Sequence, residues 1–111
     1  MNRLFYYDGN YVILQGNSLG PMTPAETEQY CRTTRGVTLV AFVPPSQARS
    51  LPAFWSHSDL RVKVVRLDET FRGTITPMLD RELSGCYELV KNWLLSIDHS
   101  LISFTAQIPM V

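Results

Sequence analysis

The sequence predicts an α/β (or α+β) fold in a single domain, 1–111: a mixed sheet of about five strands opening with a β-hairpin, two main helices at about 24–35 and 77–97, and one short helix near 46–51. Three observations carry that expectation. Asp8-Gly9-Asn10 separates two runs of aromatic and β-branched residues, Leu4–Tyr7 and Tyr11–Gln15. Val37–Val43 is nearly unbroken in apolar residues before Pro44-Pro45, as a strand covered on both faces should be. Leu79, Leu83, Cys86, Val90, Trp93 and Ile97 recur at helical spacings and make one apolar stripe.

Taken in chain order, Asp8-Gly9 supplies the positive φ angles of a tight turn, so the first two runs pair as a hairpin. Gly16–Met22 reads as a loop between strand and helix. Thr23 caps that helix, Pro24 suits its first position, Glu26 completes a Thr-x-x-Glu capping box and Gly36 offers a left-handed stop. Its apolar content, mainly Ala25, Tyr30 and Cys31, is thin, so most of its circumference should be wet. Val37–Val43 is the central strand. Between Ser46 and Asp59, residues Ala48, Leu51, Pro52, Phe54 and Trp55 suggest a short helix and then a loop whose two large aromatics plug the core.

Arg61–Leu67 is strand-like, with Val62 and Val64 on one face and Arg61 and Lys63 on the other. Thr76-Pro77 opens the second helix, and Gly85 inside it points to close packing on a neighbour. Ile102, Phe104, Ala106 and Ile108 alternate with polar residues in the manner of a last, half-buried strand. Strands separated by helices run parallel through crossovers, which makes the sheet mixed. A sheet with every helix on one face is the alternative arrangement.

The composition excludes several classes of function. Ten basic and ten acidic residues cancel, which removes the electrostatic footprint of a general DNA binder and the acidity of a nucleic-acid mimic. No apolar run approaches the roughly 20 residues that a spanning helix needs. Arg3 precedes Leu4–Tyr7, but Asp8-Gly9-Asn10 breaks the run before signal-peptide length, so a soluble cytoplasmic protein is expected. Cys31 and Cys86 stand alone without a Cys-x-x-Cys and read as two buried thiols of a reduced compartment.

The loop Gly16–Thr23 occupies the place where many α/β proteins bind phosphate, yet its residues argue for a structural turn. It has neither the Lys-Ser/Thr of a P-loop nor the third glycine of a dinucleotide fingerprint. Pro21 and Pro24 remove amide donors, and Glu26 and Glu28 put carboxylates where an anion would sit. No cofactor is expected. Tyr6-Tyr7-Asp8-Gly9 followed by Gly20-Pro21-Met22-Thr23-Pro24-Ala25-Glu26 resembles the opening of GYF-type peptide-binding domains, where an aromatic hairpin leads to Gly-Pro and a short helix. That resemblance implies recognition of proline-rich segments. It covers a small part of the chain, lacks the Gly-Tyr-Phe tripeptide and offers no counterpart to Val37–Val43, so it is not adopted as the family.

No segment carries a catalytic or metal signature. Asp98-His99-Ser100 holds triad residue types in a turn, and His57 near Asp59 leaves too few imidazoles for a zinc site. Asp68-Glu69 and Asp80 with Glu82 need no chemistry to explain them, since one pair ends a strand and the other sits in a helix's opening turns. If the strands ending near Gln15, Val43 and Leu67 are parallel, the loops that follow share the carboxyl edge, where open α/β sheets bind ligands. Asn17, Ser18, Ser46, Gln47, Asp68, Glu69, Arg72 and Thr74 would converge there, with Arg72 as the charged anchor.

Tyr6, Tyr7 and Tyr11 on the hairpin are candidates for a partner-facing aromatic surface, the alternative being that they cover the end of the core. Arg61, Lys63 and Arg66 are candidates for local nucleic-acid contact, with affinity that falls with salt. The leading expectation is a non-enzymatic protein-binding module: an adaptor, inhibitor or accessory subunit. A small-molecule or nucleotide site at the carboxyl edge is the second reading, and local nucleic-acid binding the third.

Overall fold

Asp8 and Gly9 adopt φ angles of 49° and 79°, the left-handed pair that a two-residue hairpin requires. They join β1 (Asn2–Tyr7) to β2 (Asn10–Gln15), with Phe5 opposite Val12 and Tyr6 opposite Tyr11. The computed structural model describes residues 2–43, 51–66 and 85–98. A second turn follows at Gly16 (φ 61°), and Ser18–Met22 returns as β3, antiparallel to β2. The expected loop at 16–22 is therefore a hairpin and an edge strand of the described sheet. Gly20 and Pro21 disguise it, because both are poor strand formers. An edge strand tolerates a proline, which needs no ladder partner on its outer side. Gln15 folds over Gly20, its Oε1 lying 2.7 Å from where a Cβ would stand.

The helix start reads directly from its residues. α1 (Pro24–Thr33) begins behind Thr23, whose Oγ1 accepts from the Glu26 N–H at 3.1 Å while Glu26 Oε1 accepts from the Thr23 N–H at 3.1 Å. Those bonds hold the Glu26 carboxyl below the usual carboxylate range. The helix stops at Thr34, whose N–H reaches the Tyr30 carbonyl, and Gly36 turns the chain with φ 71°. Cys31 and Thr27 are its buried residues, whereas Ala25 is exposed. Thr23→Ala removes the reciprocal cap and is expected to cost about 1 kcal/mol, read as a lower urea midpoint with an unchanged slope.

β4 (Val37–Val43) pairs parallel with β1, and β5 (Leu60–Arg66) pairs parallel with β4. The described sheet thus has the order β3-β2-β1-β4-β5. All seven residues of β4 are buried, because both faces of the sheet are covered. On one face Leu4, Leu39, Ala41 and Val43 pack with Cys31 of α1 and with Phe54 and Trp55 of a 3₁₀ turn, Ala53–Ser56. On the other, Phe5, Tyr7, Val12, Val40, Phe42 and Val65 pack with Val90 and Leu94 of α2 (Tyr87–Ile97). One layer of helix and aromatic turn, the sheet, and a second helix make the architecture. The arrangement with all helices on one face is excluded.

The expected aromatic plug is present, with Phe54 9% and Trp55 6% exposed. Gly85 is not inside a helix. Its φ is 81°, nothing lies within 4 Å of where a Cβ would stand, and α2 starts two residues later. Its role is the turn before the helix rather than close packing within it. Residues 77–84 of the predicted helix, all of the predicted short helix except Leu51, and the predicted strand at 102–108 lie outside the described residues. No described helix is long and apolar enough to cross a membrane.

Candidate functional site

The topology relocates several residues singled out from the sequence. β2 runs against β1, β4 and β5, so Gln15 ends at the edge where those parallel strands begin. Asn17 and Ser18 therefore occupy the amino edge of the parallel strands, opposite the ends of β4 and β5, and the premise of a shared carboxyl edge fails. The Ser18 hydroxyl donates to the Gln15 carbonyl at 3.2 Å, closing the local turn. Ser46, Gln47, Asp68, Glu69, Arg72 and Thr74 lie outside the described residues.

Tyr7 and Tyr11 belong to the core, and Tyr6 packs half-buried against it. Tyr7 and Tyr11 are 5% and 4% exposed, so neither ring offers a face to a partner. Alternation sends them to opposite faces of the sheet, and both faces are covered. Tyr7 donates its hydroxyl to Asp98 at 2.8 Å, tying the end of β1 to the end of α2. Tyr11 accepts from the Trp55 indole N–H at 3.3 Å. The half-buried Tyr6 ring lies 4.9 Å from Trp55 in an edge-to-face pair and 4.9 Å from Tyr11. These rings hold the 3₁₀ turn onto the sheet.

Asp98 is thus engaged in the fold, and the Asp59 N–H donates to His57 Nδ1 at 3.3 Å within a tight turn. Neither contact builds a nucleophile and base. Among the described residues no three His, Cys, Asp or Glu side chains come together as a metal site.

Burial governs the titration of the core. It raises the pKa of Tyr7, with Asp98 adding to the shift, and it also raises those of Tyr11, Cys31 and Cys86. At Cys86 the Arg3 guanidinium, whose Nη1 lies 3.8 Å from the thiol, partly opposes that shift. All four groups are held neutral in the fold and ionise more readily when unfolded. Their contribution to stability is complete below the ordinary thiol and phenol range and is lost as pH rises through it. The urea midpoint is expected to hold from about pH 6 to about pH 8 and to fall above about pH 9; a rise there would show that burial does not keep these groups neutral.

The residues that do converge form a row across the amino end of the sheet. Arg3 of β1, Thr38 of β4 and Arg61 of β5 are register partners, and Lys63 follows opposite Val40. Alternation puts Thr38 on the face of Val40 and Phe42, which is the α2 face. The aromatic cluster of Tyr6, Tyr11, Phe54 and Trp55 lies on the other face, so no stacking surface from it accompanies Arg61 and Lys63. Arg66 closes β5 at the opposite end from Arg61.

Beside this row, where β4 and β5 begin, is a cleft of about 510 Å³ lined by Gly36, Val37, Thr38, Ser58, Asp59, Leu60 and Arg61. Thr38 is the unusual member. It is only 4% exposed, and its hydroxyl has no hydrogen-bond partner among the described residues. The other buried threonine, Thr27, donates to the Thr23 carbonyl at 2.9 Å. Leaving a buried hydroxyl without a hydrogen bond costs about 1–3 kcal/mol. Thr38→Val, close to isosteric, is accordingly expected to raise the stability of the isolated protein by about 1 kcal/mol, seen as a higher urea midpoint. A lower midpoint would show that the hydroxyl is satisfied.

Neither Thr38 nor the cleft belongs to a sequence motif. The one signal in the sequence is a lone hydroxyl inside an otherwise apolar central strand, Val-Thr-Leu-Val-Ala-Phe-Val. Comparison with known proteins found no matching family model, no matching curated protein and no matching solved structure. The opening's resemblance to GYF-type domains gains no support from it.

Proposed function

We propose that the protein is a non-enzymatic protein-binding module, an adaptor, inhibitor or accessory subunit, that receives an extended segment of its partner along β5. The observation that supports this reading is the outer side of β5. No described strand pairs with it, and at mid-strand Val64 is 37% exposed, the only strand residue among the exposed large hydrophobics described. A strand added there would gain main-chain hydrogen bonds and cover Val64, while Lys63 on the opposite face favours an acidic residue in the partner. Lysine on an edge also discourages indiscriminate pairing, so the same residue serves selectivity.

A reducing, cytoplasmic setting suits the two thiols. Cys31 and Cys86 are both free and buried, in clusters on opposite faces of the sheet. The test is a photo-crosslinking amino acid at Val64 in the full chain, expressed in its native cell, with the same probe at exposed Gln29 of α1 as control. A discrete adduct of one mass at position 64, absent at 29 and lost when Lys63→Glu is added, is the expected result. Identical patterns at the two positions would refute the reading.

A further inference from the structure

Beyond protein binding, we infer that the amino-edge cleft between β4 and β5 is a site for a small monocarboxylate that also carries a hydroxyl or ammonium group. Three features of the cleft point the same way. Its volume of about 510 Å³ suits a metabolite, falling within the usual range of small-molecule pockets. Thr38 brings a hydroxyl that is buried and without a hydrogen-bond partner among the described residues, next to Arg61, its register partner. Arg61 makes no ion pair with any described residue.

The donor set defines the ligand. A guanidinium takes a carboxylate through two parallel N–H bonds, and a neighbouring hydroxyl can add a third. Asp59 and Ser58 line the same cleft, and their carboxylate and hydroxyl are acceptors that match a ligand hydroxyl or ammonium. The same Asp59 repels a second negative charge, so phosphate dianions and dicarboxylates are selected against. Bound ligand would complete the hydrogen bonding of Thr38, so the unliganded protein carries a cost that binding relieves. This site does not depend on the outer side of β5, since Val64 does not line it.

The experiment is amide NMR titration of the full chain with four probes: lactate, L-serine, propionate and inorganic phosphate. Saturable shifts confined to residues 36–38 and 58–61 are expected with lactate or serine, about tenfold weaker with propionate, and absent with phosphate. Arg61→Gln should weaken binding by about tenfold or more. Thr38→Val should weaken it while raising the melting temperature, a combination that misfolding cannot produce. No saturable shift at those residues with either lactate or serine would overturn the proposal. So would equal binding of propionate or phosphate, or unchanged affinity in both variants.

Discussion

Phe42→Ala is expected to lower stability by about 3–5 kcal/mol, a large fraction of the roughly 5–15 kcal/mol that holds an ordinary domain folded. The ring is 1% exposed near the end of β4 and packs in one cluster with Phe5, Tyr7, Val40, Val65 and, across the layer, Val90 and Leu94 of α2. Strands on both sides fix the backbone of β4, so the walls cannot close around the missing ring and the cavity term adds to the lost transfer energy. Phe42→Leu keeps most of the volume and should cost less than about 1.5 kcal/mol. Urea unfolding followed by circular dichroism measures both. A cost for the alanine variant as small as that of the leucine variant would mean that α2 does not close over this face.

Trp55→Ala should cost a similar amount, about 3–5 kcal/mol, on the opposite face. Trp55 is 6% exposed, stands edge-on to Tyr6 and donates its indole N–H to Tyr11. Its removal opens a cavity under the 3₁₀ turn and leaves the Tyr11 hydroxyl without that donor. Trp55→Phe separates these effects, because it keeps most of the ring and loses the hydrogen bond, for an expected cost of roughly 1 kcal/mol plus the reduced packing. Since the chain has two tryptophans, circular dichroism is the right probe rather than fluorescence. Phe42 and Trp55 lie in separate clusters, so their costs should add within about 0.5 kcal/mol.

Much of this fold is legible in the residues. Asp8-Gly9 announces the first hairpin, the Thr23–Glu26 box announces α1, and the apolar run at Val37–Val43 announces a strand buried on both sides. Each works because a local requirement, such as a positive φ, an orphan amide or two covered faces, admits few residue types. β3 is hidden for the converse reason: Gly20 and Pro21 are both poor strand formers, although the Gln15 side chain fills the space beside Gly20 and a position at the edge of the described sheet suits Pro21. That hidden strand reverses the local direction of the chain, and with it the edge on which Asn17 and Ser18 fall. Gly85 is ambiguous in sequence, since a glycine on a helical stripe and a glycine just before a shorter helix have the same neighbours.

The candidate site is less legible than the fold. Alternation sends Tyr6 and Tyr7 to opposite faces, but only the packing of α1, α2 and the 3₁₀ turn decides that both faces are covered. Arg61 and Lys63 are visible as a basic alternation. Their association with Thr38 depends on the parallel register of β4 and β5, which no local pattern encodes. The cleft is likewise a property of where two strands begin rather than of any motif.

If β5 offers an open side to a partner, amide hydrogen exchange of the isolated full chain should reveal it. In a parallel edge strand, alternate amides bond to the neighbouring strand while those between them point outward. Slow exchange is expected throughout β4 and an alternating pattern in β5, with every second amide between Arg61 and Val65 exchanging quickly. Uniformly slow exchange across β5 in the isolated protein would show that its outer side is already covered, and strand addition there could not be how the protein binds a partner.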